Sequence, residues 1–353
     1  MISIQNRITA FAKLGDFLSQ FSINNIKKID NIEYNEIFFD GFKHQIKLAQ
    51  ENNSWFTKEN LLFSLNIISK SLTYSNLNSF TDSLTSGEIL PKNVAIIMAG
   101  NIPLVGFHDF LSVLISGHSV LIKQSSNDKH LLPYLAKYLE YIEQDFKGKI
   151  TFTEEKLTDF DAIIATGSDN TARYFEYYFK NKPNIIRKSR NSVAIITGNE
   201  TEDDFIKLSD DIFQYFGLGC RSVSKLFVPK NYNFDLFFSG MFVKKDMINN
   251  AKYANNYDYN KAVYLMSLYD LLENGFLMIK EDPSYSSPIA TIFYEYYEDE
   301  MALKRKLQKD KDKIQCIVAK NFIEGEIAFG QTQQPSLTDY ADGVNTLEFL
   351  SKI

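Results

Sequence analysis

The sequence predicts an α/β protein organised around a parallel sheet. Short, continuous apolar runs recur along its middle: Val94-Ala95-Ile96-Ile97-Met98, Ser119-Val120-Leu121-Ile122-Lys123, Asp161-Ala162-Ile163-Ile164-Ala165 and Val193-Ala194-Ile195-Ile196. Helix-length stretches separate them, at Val105–Ser116, at Lys129–Glu143 and from about Asn170. Uniformly apolar strands are those covered on both faces, and their alternation with helices implies a parallel sheet. Such sheets bind ligands at the carboxyl ends of their strands.

The flanking regions read differently. Residues 1 to about 88 are helical in pattern, with Ile4, Ile8, Phe11, Leu14 and Leu18 at spacings of three and four, and Leu61, Leu62, Leu65, Ile68 and Leu72 following suit. An amphipathic first helix either packs on its own domain or lies on a membrane; packing is the commoner outcome. After the fourth strand, Thr201 and Asp204 resemble a capping box, Glu202 and Asp203 suit a helix start, and Gly217 can end that helix. Leu226-Phe227-Val228 then opens a second, smaller α/β unit, with strands at Pro288–Phe293 and Ile314–Ala319 and a turn-like tail at Phe329–Pro335. The expected organisation is a helical segment over 1–90, a parallel-sheet domain over 91–213, a cysteine-bearing domain over 214–325, and a segment over 326–353 returning to the parallel-sheet domain.

Composition sets limits. A chain of 353 residues with 44% hydrophobic and 23% charged residues suits a globular protein of two or three domains. The net charge of -6 argues against a nucleic-acid partner. No apolar run approaches the ~20 residues of a membrane span. Two cysteines in dissimilar contexts indicate a reducing, cytoplasmic setting without disulfides. No Cys/His cluster suggests a metal.

Several residues stand where chemistry is expected. Cys220 follows two glycines in Phe216-Gly217-Leu218-Gly219-Cys220-Arg221-Ser222. It is either a nucleophile, favoured as thiolate by a helix N-terminus beneath it or by Arg221, or a small core residue. Cys316, within Lys313–Ala319, reads as part of a buried strand. Asn101 follows the first strand in Ala99-Gly100-Asn101-Ile102-Pro103, where its amide can donate to an oxyanion or merely cap the next helix. Lys123 with Ser125 ends the second strand, and Thr166-Gly167-Ser168 after the third opens a helix whose N–H groups suit a phosphate. His108 follows the Asn101 loop and is a candidate to face the cleft, whereas His44, His118 and His130 have no recognisable partners. No Gly-x-Gly-x-x-Gly fingerprint is present.

Taken in order, Gly100-Asn101-Ile102-Pro103, Lys123, Thr166-Gly167-Ser168 and Cys220 before Leu226-Phe227-Val228-Pro229 resemble the aldehyde dehydrogenase superfamily. Gly100–Gly106, Arg190-Asn191-Ser192-Val193-Ala194 and Phe216–Arg221 are most similar to its acyl-CoA reductase branch, the LuxC-like fatty-acyl reductases of bacterial luminescence. The resemblance covers about two-thirds of the chain. It implies an aldehyde-dehydrogenase-like fold, with a parallel-sheet dinucleotide-binding domain and a smaller α/β catalytic domain holding the cysteine.

The implied activity is NADPH-dependent reduction of a long-chain acyl-CoA to the aldehyde, with NADH as the other candidate cofactor. Cys220 is the implied nucleophile, and Asn101 and the Cys220 N–H hold the oxyanion. Lys123, Ser125, Thr166, Gly167 and Ser168 hold the dinucleotide. Hydrolytic members carry a glutamate before the fourth strand, but Asn184–Thr197 holds no carboxylate. Exchange between thioester and thiol needs no such base. A second glutamate, which grips the ribose, is replaced by Ser284-Tyr285-Ser286-Ser287 before Pro288. The acyl donor is CoA or a carrier protein, and the resemblance also allows a homo-oligomer and an acyl-activating partner protein. The other readings are a carboxyl-phosphate reductase, an acyltransferase or thioesterase that never uses nicotinamide, and a catalytically silent scaffold.

Overall fold

The computed structural model describes residues 3–23, 25–84 and 90–353; the change of pattern expected near residue 88 lies outside them. The chain forms two compact units, Met1–Lys188 with Ser336–Ile353, and Ser189–Pro335.

The first unit begins with four helices, α1 (Ile4–Leu18), α2 (Asn35–Asn52), α3 (Lys58–Ser71) and α4 (Tyr74–Thr81). Ser3, Thr57 and Thr73 cap α1, α3 and α4 by accepting the N–H three residues on, as small hydroxyl residues do at helix starts. The apolar stripe of α1 is buried: Ile8, Phe11, Leu14, Phe17 and Leu18 enter the main core, and Phe11 packs edge-on against Phe110 and Phe146. The first helix is therefore a packing element.

Next come β1 (Asn93–Ile97), α5 (Phe107–Ile115), β2 (Ser119–Lys123), α6 (Leu131–Ile142), β3 (Ile150–Phe152), β4 (Ala162–Thr166), α7 (Asp169–Phe179) and β5 (Asn184–Arg187). The five strands form one sheet in the order β3-β2-β1-β4-β5, every pairing parallel. The inner strand residues Val94, Ala95, Ile96, Ile163 and Ile164 are all fully or almost fully buried, which accounts for their unbroken apolar character.

The second unit holds β6 (Asn191–Ile195), α8 (Glu202–Phe213), β7 (Val223–Pro229), α9 (Asp235–Met241), α10 (Ala251–Met266), β8 (Leu272–Glu273), β9 (Met278–Glu281), β10 (Thr291–Tyr297), α11 (Glu300–Lys309) and β11 (Ile314–Val318). Its sheet runs β11-β6-β7-β10-β9-β8, and only the short β8–β9 pairing is antiparallel. The capping box at Thr201 and Asp204 is formed, each side chain bonding the other's backbone N–H.

Two expectations change. The fourth apolar run does not extend the first sheet, because β6 pairs with β7 and β11 in the second. Periodicity marks a buried strand but not its neighbours, and one neighbour of β6 arrives over a hundred residues later. The division between units accordingly falls after Lys188, not after 213, and the C-terminal segment splits at 335/336. Its last part, including α12 (Thr346–Ser351), sets Leu347 and Leu350 into the core of the first unit. No described helix is long and apolar enough to cross a membrane.

Candidate active site

In the first unit, β2, β1 and β4 lie side by side, and their register sets Ile97 opposite both Lys123 and Ala165. Strand order runs outward from β1 to β2 and β3 on one side and through β4 to β5 on the other. The β1/β4 junction is thus the switch point at which such sheets bind ligands. Asn101, Lys123, Ser125 and Thr166-Gly167-Ser168 all follow or end these three strands, so one sheet edge gathers them.

Each loop is fixed by identifiable contacts. Gly100 is pressed against the next loop: a Cβ there would stand 2.5 Å from Ser125 Oγ and 2.6 Å from Ser125 Cβ. Asn101 is exposed and does not cap α5, whose cap position is Gly106. Between them the chain turns through Leu104, a left-handed residue at φ 57°, whose N–H donates to Asp128 Oδ2 at 2.7 Å. Lys123 Nζ donates to the Glu155 carbonyl at 2.9 Å. An ammonium has three donors, and this bond uses one of them. Ser125 Oγ accepts the Asn127 N–H at 3.3 Å. Ser168 caps α7 by accepting the Thr171 N–H at 3.3 Å, and Gly167 lets the turn close, since a Cβ there would lie 3.0 Å from Thr171.

Cys220 belongs to the second unit and is exposed. The residues before it are unusual: Tyr215 and Phe216 have φ of 55° and 58°, and Gly217 follows at 74°. Left-handed backbone costs a bulky L-residue on the order of 1–2 kcal/mol, and such strain gathers at functional sites. α8 stops at Phe213, so Gly217 closes this left-handed turn and does not end the helix. The cysteine turn itself is closed by the Ser222 N–H to the Gly219 carbonyl at 3.0 Å. Ser192 Oγ donates to the Cys220 carbonyl at 2.9 Å.

No helix opens at Cys220. Val223, Leu226, Phe227 and Val228 make β7 a buried strand, so the expected helix dipole is absent there. The neighbouring cation is Arg221, whose guanidinium donates to Cys316 Sγ at 3.3 Å and to the Thr332 carbonyl at 3.4 Å. Cys316 is 4% exposed within β11, in keeping with a buried strand.

His108 is held by packing and a backbone bond within the first unit. Its Nε2 bonds the Leu337 carbonyl at 2.8 Å, and its ring packs on Phe80 and Tyr340. His118 does have partners: Nδ1 accepts the Lys92 N–H at 3.1 Å and Nε2 bonds the Leu350 carbonyl at 3.0 Å.

Two buried carboxylates escaped the sequence. Burial pushes Asp128 up to about 6, opposed by its bond from Leu104. Burial pushes Asp211 up to about 6 as well, opposed by bonds from Gly330 and Thr332. An aspartate among polar neighbours, as at Asn127-Asp128, looks like a solvated loop residue, and only its distant partner betrays burial.

A family model described as acyl-CoA reductase (LuxC) matches residues 16–237, more than half of the chain and inclusive of Asn101, Lys123 and Cys220. None of the curated proteins compared matches. Among solved structures, the chain resembles aldehyde dehydrogenase KauB from Pseudomonas aeruginosa at TM-score 0.64 and 12% identity, covering 90% of this chain and 72% of that one. It resembles aldehyde dehydrogenase 21 from Physcomitrella patens, solved with succinate, at TM-score 0.69 and 11% identity, over 100% and 84% of the two chains. An NAD+ complex of aldehyde dehydrogenase from Bacillus cereus matches at TM-score 0.60 and 12% identity, over 90% and 72%. The fold is therefore that of the aldehyde dehydrogenases, and the chain belongs to the acyl-CoA reductase (LuxC) family of oxidoreductases.

Proposed function

We propose that this chain reduces a long-chain acyl-CoA to its aldehyde, with the nucleophile on the second unit and the nicotinamide dinucleotide held by the first. The observation that carries the reading is an exposed Cys220 in a hydrogen-bonded turn, just after the left-handed Tyr215 and Phe216, within a chain of the acyl-CoA reductase family.

The chain's own residues account for the acyl-transfer half. The Cys220 thiolate adds to the thioester carbonyl, forming one C–S bond. The Asn101 amide and the Cys220 N–H donate to the oxyanion, a role best filled by donors fixed beforehand. The oxyanion then collapses, the bond to the CoA sulfur breaks, and CoA leaves and takes a proton. The sum of bonds made and broken is close to zero, so no water-activating base is required, and none stands in Asn184–Thr197.

The residues at the end of β2 and after β4 fit a dinucleotide: a lysine with a donor beyond its backbone bond, a glycine turn close against Thr171, and a capped helix start. Lys123 is suited to the adenosine ribose and its 2′-phosphate, which favours NADPH over NADH, while Ser125 and Thr166-Gly167-Ser168 cradle the phosphates. When bound, the reduced cofactor supplies the hydride that the acyl carbon must gain. Cys220 then departs as thiolate while the oxygen returns to a carbonyl, releasing aldehyde.

The test is oxidation of NADPH or NADH by the purified chain with acyl-CoAs of increasing length, the aldehyde trapped as a hydrazone. Turnover lost in Cys220→Ala, with KM for NADPH raised in Lys123→Ala, supports the reading. Turnover that survives Cys220→Ala contradicts it.

A further inference from the structure

The tail Gly330-Gln331-Thr332-Gln333 is tied at one side to α8 and at the other to the cysteine turn. Asp211, fully buried on α8, accepts the Gly330 N–H on Oδ2 at 2.6 Å. Its Oδ1 accepts both the Thr332 N–H at 2.9 Å and the Thr332 hydroxyl at 2.8 Å. Thr332 is itself fully buried, and its carbonyl receives the Arg221 guanidinium. Gln333 Nε2 donates to Ser222 Oγ at 3.4 Å. The two residues that follow Cys220 are thus each held by the same tail segment. From the other side, Ser192 holds the Cys220 carbonyl and Cys316 receives Arg221.

We propose that Asp211 is a positioning residue, which anchors the 330–333 segment as the scaffold that fixes the Cys220 turn for attack on the acyl carbonyl. The inference rests on the acyl-cysteine reading above. Asp211 is a buried carboxylate with three donors converging on it. Burying it is costly, and the site compensates with bonds whose common outcome is an ordered tail. Displacement of a reacting atom by an ångström suffices to slow a reaction on the order of a hundredfold, so a scaffold of this kind bears on rate without touching substrate.

The informative variants are Asp211→Asn and Thr332→Ser. An asparagine sets an NH2 against either Gly330 or Thr332, so it cannot accept from both, yet it keeps the volume of the side chain. A serine keeps the hydroxyl that donates to Asp211. Three rates are measured on the full chain: amide exchange over 218–223, alkylation of Cys220 by iodoacetamide, and acyl-cysteine formation from an acyl-CoA by intact mass. Asp211→Asn is expected to speed exchange over 218–223 and slow acylation, each roughly tenfold or more, while alkylation changes less than about threefold. Thr332→Ser stays close to the parent in all three.

Faster exchange over 329–335 with unchanged acylation overturns the scaffold role. So does a parallel fall in acylation and alkylation with a lower melting temperature, which marks general destabilisation. If the parent accepts no acyl group, the acyl-cysteine reading falls on its own. The exchange arm still judges the anchoring: unchanged exchange over 218–223 in Asp211→Asn overturns it.

Discussion

Asp128 Oδ2 accepts the Leu104 N–H at 2.7 Å, joining the loop after β2 to the loop after β1. Ser125 lies in the first loop, just after Lys123 at the end of β2, and Asn101 lies in the other, so the bond couples the proposed cofactor and oxyanion residues. It also holds Leu104 at φ 57°, a conformation that leucine does not choose unaided.

The buried Asp128 carboxyl itself has a pH signature, against which this bond works. Burial raises Asp128 from 3.8 to about 6, so its contribution is complete below pH 4 and lost as pH rises through 6. Asp128→Asn removes the titration. Between pH 4 and pH 8 the parent should lose roughly 2–3 kcal/mol of stability relative to that variant. Urea unfolding of both proteins at the two pH values measures the difference; parallel curves would contradict the assignment.

His118 should behave in the opposite sense. Burial is the first cause of its lowered pKa, and Nδ1 must stay unprotonated to accept the Lys92 N–H. The folded state therefore resists the proton, and stability present above about pH 6.5 is lost as pH falls toward the lowered folded value. His118→Gln should flatten that acid limb in thermal melts between pH 7 and 5. A limb unchanged by the substitution would assign it to another group.

The Arg187–Asp109 pair is buried, with side chains 6% and 9% exposed and a bond of 2.6 Å. Arg187 also reaches the Ala341 carbonyl and Thr346, and so ties the C-terminal segment to α5. Arg187→Met should cost about 3–5 kcal/mol by leaving the buried Asp109 without its ion-pair partner, while Arg187→Met with Asp109→Leu should recover most of it. Equal losses in the single and double variants, measured by chemical unfolding, would contradict a penalty for stranding Asp109.

Gly100→Ala forces a methyl group onto Ser125. The overlap includes Ser125 Cβ, which cannot rotate away, so backbone must move. The substitution should cost about 1–3 kcal/mol and reduce reductase turnover, and adding Ser125→Gly should restore both in part. Turnover unaffected by Gly100→Ala would mean that the two loops need not touch.

Much of the architecture is legible in the sequence, and the gaps have physical causes. β1, β4 and β6 announce themselves because both faces are covered, and β2 by an apolar run whose second face is half-buried. β3 and β5 are sheet edges with exposed positions, Thr151 and Asn184 among them, and give no comparable run. The sheet that β6 joins depends on a pairing with β11 that no local pattern encodes. The glycines before Cys220 mark its turn, but the left-handed Tyr215 and Phe216 contradict local preference and are invisible in advance. Asp128 and Asp211 are buried by partners 24 and 121 residues away, which sequence reading places in solvent.

The central claim is the acyl-cysteine, and intact mass tests it most directly. The purified protein and Cys220→Ala are incubated with acyl-CoAs of several lengths, without nicotinamide, and weighed. The account predicts an increase equal to one acyl group on the parent and none on the variant, with aldehyde released on adding NADPH. No adduct from any donor, or one that persists in Cys220→Ala, would contradict it.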